Sequence, residues 1–140
     1  MDNQDQRAND ALQTAAQARE RAYAPYSRFR MGAAVVTDAD VIVPGALVEN
    51  VSLGLAMCAE RTAFFAAVAH GHGRPQLLAL VAPETDGGLT WPCGACLQVA
   101  MELGGPDLLV LVSNTRGTVE QARLHELAAR LPFKRSRPPT

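Results

Sequence analysis

Three cysteines and one glutamate hold most of the chemistry this chain can offer. Cys58-Ala59-Glu60 and Pro92-Cys93-Gly94-Ala95-Cys96 each open a stretch of helical character, with 35 residues from Cys58 to Cys93. A thiol in a first helical turn meets unpaired backbone N–H groups and the positive end of the helix dipole, which favour the thiolate a metal requires. In C-x-x-C the second cysteine follows about one turn after the first, so both sulfurs can reach one ion, and Cys58 would close a face of three ligands. Three protein ligands leave the fourth tetrahedral position to water, the pattern of a catalytic rather than a structural zinc. Glu60, two residues after Cys58 on the same helix, can lie beside that open position without being a ligand, as a proton shuttle would.

Each motif has a plainer reading alone. C-x-x-C also occurs as a structural zinc half-site, a redox pair or two core cysteines. The redox version needs a thioredoxin-like strand ahead of it, and Gly88-Leu89-Thr90-Trp91-Pro92 is not one. Three thiolates leave a bound Zn2+ with a formal charge of minus one, which weakens it as a Lewis acid unless something offsets the charge. The two helix N-termini are one source, and Arg61 is a second, through N–H···S contacts; its other reading is a surface residue. His70, His72 and His125 read as solvated surface residues.

The elements that must position these residues emerge from periodicity. Residues 9–24 suit a helix with Leu12, Ala15, Ala16, Ala22 and Tyr23 on one face, stopped by Ala24-Pro25. Residues 32–37 and 41–43 read as a β-hairpin, with Pro44-Gly45 as an interruption directly after its second strand. Residues 58–70 form a helix with Thr62, Phe65 and Ala69 on one side. Residues 77–82 and 108–112 are bare apolar runs, as strands buried on both faces would be. A helix over 94–103 links them, so they should lie parallel with a right-handed crossover. Residues 118–120 suit an edge strand, 121–130 a last helix, and 134–140 a basic, proline-rich tail with little reason to be ordered. The expected architecture is one α/β domain over 1–133.

Composition narrows the function classes. With 13 basic residues against 14 acidic ones the chain lacks the basic surplus that phosphate binding wants, so nucleic acid is not an expected partner. No apolar run approaches the roughly 20 residues of a spanning helix, and the polar start has no signal-peptide core, so no membrane association and a cytoplasmic location are expected. An odd number of cysteines, 3, fits reduced thiols better than a disulfide framework.

Joined, C-A-E and P-C-G-A-C match the arrangement of zinc deaminases, in which a non-ligand glutamate moves protons. The chain resembles the small cytidine deaminases with three zinc cysteines, from Ala22 to about Phe133. Besides those two motifs, Ala22-Tyr23-Ala24-Pro25-Tyr26-Ser27-Arg28-Phe29, Gly32-Ala33-Ala34 and Val48-Glu49-Asn50 are similar to family blocks in order and spacing. The resemblance implies a three-layer α/β/α sandwich around a five-stranded mixed sheet, one Zn2+ per chain and a pyrimidine nucleoside as small-molecule substrate. It also implies a homotetramer, or a homodimer, with residues near Phe133 completing a neighbour's pocket. By the same resemblance the Ala59 N–H holds the base O2 and the Trp91 carbonyl faces the departing amine. Phe29 stacks on the base, with plain core as its other reading, and Glu49 accepts from the sugar 3′-hydroxyl.

Four positions depart from the family pattern. Leu47 stands where an asparagine usually grips the ribose, a loss of about 0.5–1.5 kcal/mol for one hydrogen bond. Leu97 stands where an arginine commonly follows the last zinc cysteine, Leu53 near a usual tyrosine, and Trp91 at a usually small position. These suggest, beside cytidine or 2′-deoxycytidine, a modified cytosine nucleoside or aminopyrimidine, as in the neighbouring blasticidin S deaminases. A non-catalytic zinc protein of the same fold and a polynucleotide-editing deaminase are the remaining alternatives.

Overall fold

The computed structural model describes residues 2–128 and 130–133. Helix α1 runs Asn3–Arg19, capped by Asp2, whose Oδ1 accepts from the Asp5 N–H at 2.9 Å. It begins earlier than the 9–24 expected because an aspartate cap satisfies an N–H of the polar opening residues, and it ends at Arg19, before Ala24-Pro25, in turns that bond the Arg21 and Ala22 N–H groups to the Ala18 and Arg19 carbonyls. Its buried residues are Ala11, Ala15 and Ala18. Ala16 is exposed, and Tyr23 lies outside the helix with its N–H donated to the Leu47 carbonyl at 2.8 Å.

Strands β1 (Gly32–Thr37) and β2 (Ile42–Ala46) form the expected antiparallel hairpin. Pro44-Gly45 does not interrupt it: Ala34 pairs with Pro44 and Ala33 with Gly45 in unbroken register. Proline is tolerated because β2 is an edge strand with one hydrogen-bonding side unused. Glycine is required at 45 because α2 (Ala59–Ala69) lies so close that a Cβ would overlap Ala59 O and Ala63 N. Gly32 serves the opposite face in the same way, where a Cβ would overlap Ala15 O and Arg19 N of α1.

The chain continues through β3 (Pro75–Val81), α3 (Gly94–Gly104), β4 (Leu109–Ser113), β5 (Val119–Arg123) and the single turn α4 (Leu124–Leu127). The segment 121–130, expected as a last helix, thus begins as strand and holds only that one helical turn. Residues Val119 to Arg123 pair antiparallel with β4, and that ladder outweighs their weak strand propensity. Residues 134–140, read as a tail, lie outside the described residues.

The sheet order is β2-β1-β3-β4-β5, with β3 and β4 parallel and every other pair antiparallel. Alternation splits its side chains between two cores. Ala34, Val36, Leu77, Ala79, Val81 and Leu111 meet Ala11 and Ala15 of α1. On the other face Ala33, Val35, Leu78, Leu80, Val110 and Val112 meet Ala63, Phe64 and Ala67 of α2, Ala100 and Met101 of α3, and Leu124. The buried face of α2 therefore runs through Ala59, Glu60, Ala63, Phe64 and Ala67, while Phe65 and Ala69, read as sharing a face with Thr62, are exposed. The result is the three-layer α/β/α sandwich with a five-stranded mixed sheet that the resemblance implied. Since β1 is antiparallel to both β2 and β3, those two strands point the same way. Helices α2 and α3 come after them in the chain, so both helices begin at the same margin of the sheet.

Candidate functional site

Cys58 is the N-cap of α2 and Cys93 the N-cap of α3, both with extended backbone (ψ 152° and 170°), and neither uses its side chain to cap its own helix. Their sulfurs are thereby left for each other. Cys96, in the first turn of α3, is buried, Cys58 is half-buried and Cys93 is exposed. The three Sγ atoms lie within 4.8 Å of one another, and Cys93 and Cys96 are 3.7 Å apart. Among the described residues no histidine joins this group; His70 and His125 are exposed, and the rings of His70 and His72 face each other at 5.6 Å.

Glu60 is 1% exposed, and its Oε1 has no hydrogen-bond partner. Burial pushes its carboxyl up to about 7, and the nearby Cys58 adds to the rise. Cys58 moves the other way, down to about 5, through its interaction with Cys96 and then the Arg61 guanidinium. Arg61 donates from Nη2 to Cys58 Sγ at 3.1 Å, so the N–H···S contact expected of it is present. The Cys96 thiol is held well above the usual range because its proton is shared toward Cys58 and its surroundings are buried. Three cysteine sulfurs within 4.8 Å of one another, with a guanidinium on one of them to favour the thiolate, form a donor set suited to a divalent ion. The orphaned Glu60 oxygen, buried next to that set, suits a water there.

Local folding explains the convergence. Thr62 Oγ1 shares its one proton between Cys58 O at 2.8 Å and Ala46 O at 3.1 Å, fastening the first turn of α2 to the end of β2. Periodicity reads Thr62 only as part of a helix face; its position four residues after Cys58 is the signal that could have shown its task. Val48 and Met57 exchange backbone hydrogen bonds at 3.0 and 2.9 Å, bringing the segment that carries Leu47 and Glu49 alongside the residue before Cys58.

The other expected site residues are placed less uniformly. Ala59 is buried as the first residue of α2; Trp91 and Phe29 are partly buried. Trp91 packs against the core shared by α2 and α3. Leu47 is buried in a small apolar cluster with Ala22 and Ala24, against which Met31 packs. Leu97 packs on the main core, and Leu53 is 84% exposed. Glu49 turns to the 26–27 backbone and the Ser27 hydroxyl, which hold its carboxyl below the usual range. Phe133 lies close to Gly105, at the far end of α3 from Cys93 and Cys96.

The family described as cytidine and deoxycytidylate deaminase zinc-binding region matches residues 5–112. A cytidine deaminase of Halalkalibacterium halodurans is 43% identical over 116 residues, covering 83% of this chain and 86% of the relative. One of Mycobacterium tuberculosis is 48% identical over 96 residues, 69% of this chain and 71% of its own. The crystal structure of a cytidine deaminase from Burkholderia pseudomallei superposes with a TM-score of 0.83 at 42% identity, covering 88% of this chain and 97% of that one.

Proposed function

This chain belongs to the cytidine and deoxycytidylate deaminase family, and from that premise we propose that it hydrolyses cytidine or 2′-deoxycytidine to the uracil nucleoside and ammonia. The observation that carries the reading is a buried carboxylate with an unpartnered oxygen, Glu60, set two residues from a cluster of three thiols. A purely structural metal site has no use for such a group.

Cys58, Cys93 and Cys96 would hold the ion. Bound there, zinc supplies a Lewis acid that makes water a nucleophile near neutral pH. Glu60 would take a proton from the attacking water and give it to N3 of the base, which makes C4 electrophilic enough to form a bond to the water oxygen. A second proton, from the hydroxyl then on C4, would pass through Glu60 to the exocyclic amine; the C4–N bond breaks, ammonia leaves, and the C4 carbonyl forms while N3 keeps its proton. A group poised near 7 can do both, since acid–base catalysis works best when the pKa lies near the operating pH. Arg61 draws charge from the Cys58 sulfur, offsetting the surplus of three thiolates. In this reading Phe29 stacks on the base, the Ala59 N–H binds O2, the Trp91 carbonyl meets the amine, and Glu49 accepts from the sugar.

A second reading, deamination of a modified cytosine nucleoside, is favoured by one observation. Leu47 is only 9% exposed, among alkyl groups, so the position that would grip the sugar is apolar. Self-association is supported by Phe65 and Val68, 45% and 57% exposed, beside Val99 and Leu103 around a shallow apolar cavity of about 340 Å³. A location in the cytoplasm is consistent with the described helices, none of which is long and apolar enough to cross a membrane.

Ammonia release from cytidine, deoxycytidine and cytosine analogues tests the proposal, with zinc measured in the same samples. The expected result is turnover by the wild type and a fall of at least about 10²–10⁴-fold in Glu60→Ala with zinc retained. Undiminished turnover in that variant would end the assignment.

A further inference from the structure

The Glu49 carboxylate accepts three hydrogen bonds, all from one turn. Oε1 takes the N–H groups of Tyr26 at 3.0 Å and Ser27 at 3.2 Å, and Oε2 takes the Ser27 hydroxyl at 2.5 Å. Ser27 Oγ then accepts the Phe29 N–H at 3.0 Å. Between them Arg28 sits at φ 59°, a left-handed conformation that a side chain adopts only when its surroundings hold it there. The turn is also paired sideways: Glu49 N–H donates to Tyr23 O at 2.8 Å, and Val48 is bonded to Met57, the residue before Cys58. Residues 23–29, 47–49 and 57 thus lie side by side, and the last of these runs directly into the thiol cluster.

A carboxylate has about four acceptor positions, and three are filled. The remaining one, on Oε2, can take a hydroxyl from a substrate without releasing the turn. The Ser27 hydroxyl is the side-chain link between that oxygen and the Phe29 backbone.

We propose that Ser27 is a positioning residue for deamination. It ties Glu49 to Phe29, so that binding of a sugar hydroxyl at Glu49 and the seat of Phe29 against the base are set together. This rests on the nucleoside reading above, and it gives Glu49 a task within its own chain as well as toward the substrate.

The test compares Ser27→Ala, Ser27→Thr, Phe29→Ala and the double variant Ser27→Ala/Phe29→Ala, each as full-length, zinc-loaded protein. KM and kcat are measured on cytidine, and uridine affinity by calorimetry. Ser27→Ala should raise KM and weaken uridine binding about tenfold, the order expected of one hydrogen bond to a charged group, with kcat within about threefold of wild type. Ser27→Thr, which keeps the hydroxyl, should recover most of the loss, and adding Ser27→Ala to Phe29→Ala should cost less than about twofold more. An unchanged KM in Ser27→Ala, equal damage in Ser27→Thr, or a full tenfold further loss in the double variant would overturn the proposal. A wild type inert toward cytidine and every cytosine analogue tried would sink the deaminase reading and this proposal with it, whereas an active wild type whose KM is unmoved by Ser27→Ala would overturn the proposal alone.

Discussion

The thiol cluster and the turn around Glu49 stand side by side but are built from opposite materials. The cluster sits on the first turns of two regular helices packed on a buried sheet, and Cys96 and Glu60 are buried with it. The Glu49 turn is irregular backbone at the surface, with Tyr26 57% exposed, and hydrogen bonds from Ser27 to Glu49 and from the Arg28 N–H to Ala24 O hold its shape against the strain at Arg28. The difference teaches where each kind of precision comes from. An ion and a proton carrier need fixed geometry, which packed helix termini provide. A substrate edge needs polar groups held at the surface, and a hydrogen-bonded turn provides them.

The contrast can be broken most severely at its buried end. Cys96→Ser should remove a soft ligand that the cluster cannot replace, and the purified variant should carry no stoichiometric zinc and show no measurable deamination; elemental analysis with an activity assay checks both. Arg61→Ala should leave all three thiols in place yet weaken zinc retention about 10–100-fold in a chelator competition, since outer partners of ligands have effects of that order. Full zinc affinity in Arg61→Ala would mean that the 3.1 Å contact is incidental. Gly45→Ala should be felt in stability first, by about 1–3 kcal/mol in denaturant unfolding, because the new methyl drives α2 off β2 at Ala59 and Ala63. Taken with the Ser27 variants, these order the two regions: ion loss and unfolding belong to the helix termini, altered KM to the turn.

The same contrast explains how much the chain discloses before it folds. The convergence of Cys58, Cys93 and Cys96, with Glu60 buried on the same helix as Cys58, is legible because it follows from short spacings along helices, and both helices begin where the thiols predict. Strands β1, β3 and β4 are legible for a related reason: continuous apolar runs have few other fates in a small sandwich. Gly45 reads wrongly as an interruption, because its reason is the close approach of a helix that periodicity along β2 cannot show. Residues 121–123 have no strand signature of their own and take their form from β4. The bonding around Ser27 is illegible for want of local pattern, since Glu49 lies 22 residues away in sequence. Leu47, expected where a sugar contact would lie, is shown among Ala22, Ala24 and Met31 only by the folded chain.

Because Cys58 heads α2 while Cys93 and Cys96 head α3, an ion held by all three would rivet together two βα units that the backbone joins only through a loop, a helix and a strand. Its grip would add to the cohesion of one side of the sandwich by mass action, about 1.4 kcal/mol for each tenfold of free ion above the dissociation constant. Starvation for that metal would then leave the first turns of α2 and α3 joined by packing alone, so that loosening should begin at those two helix ends.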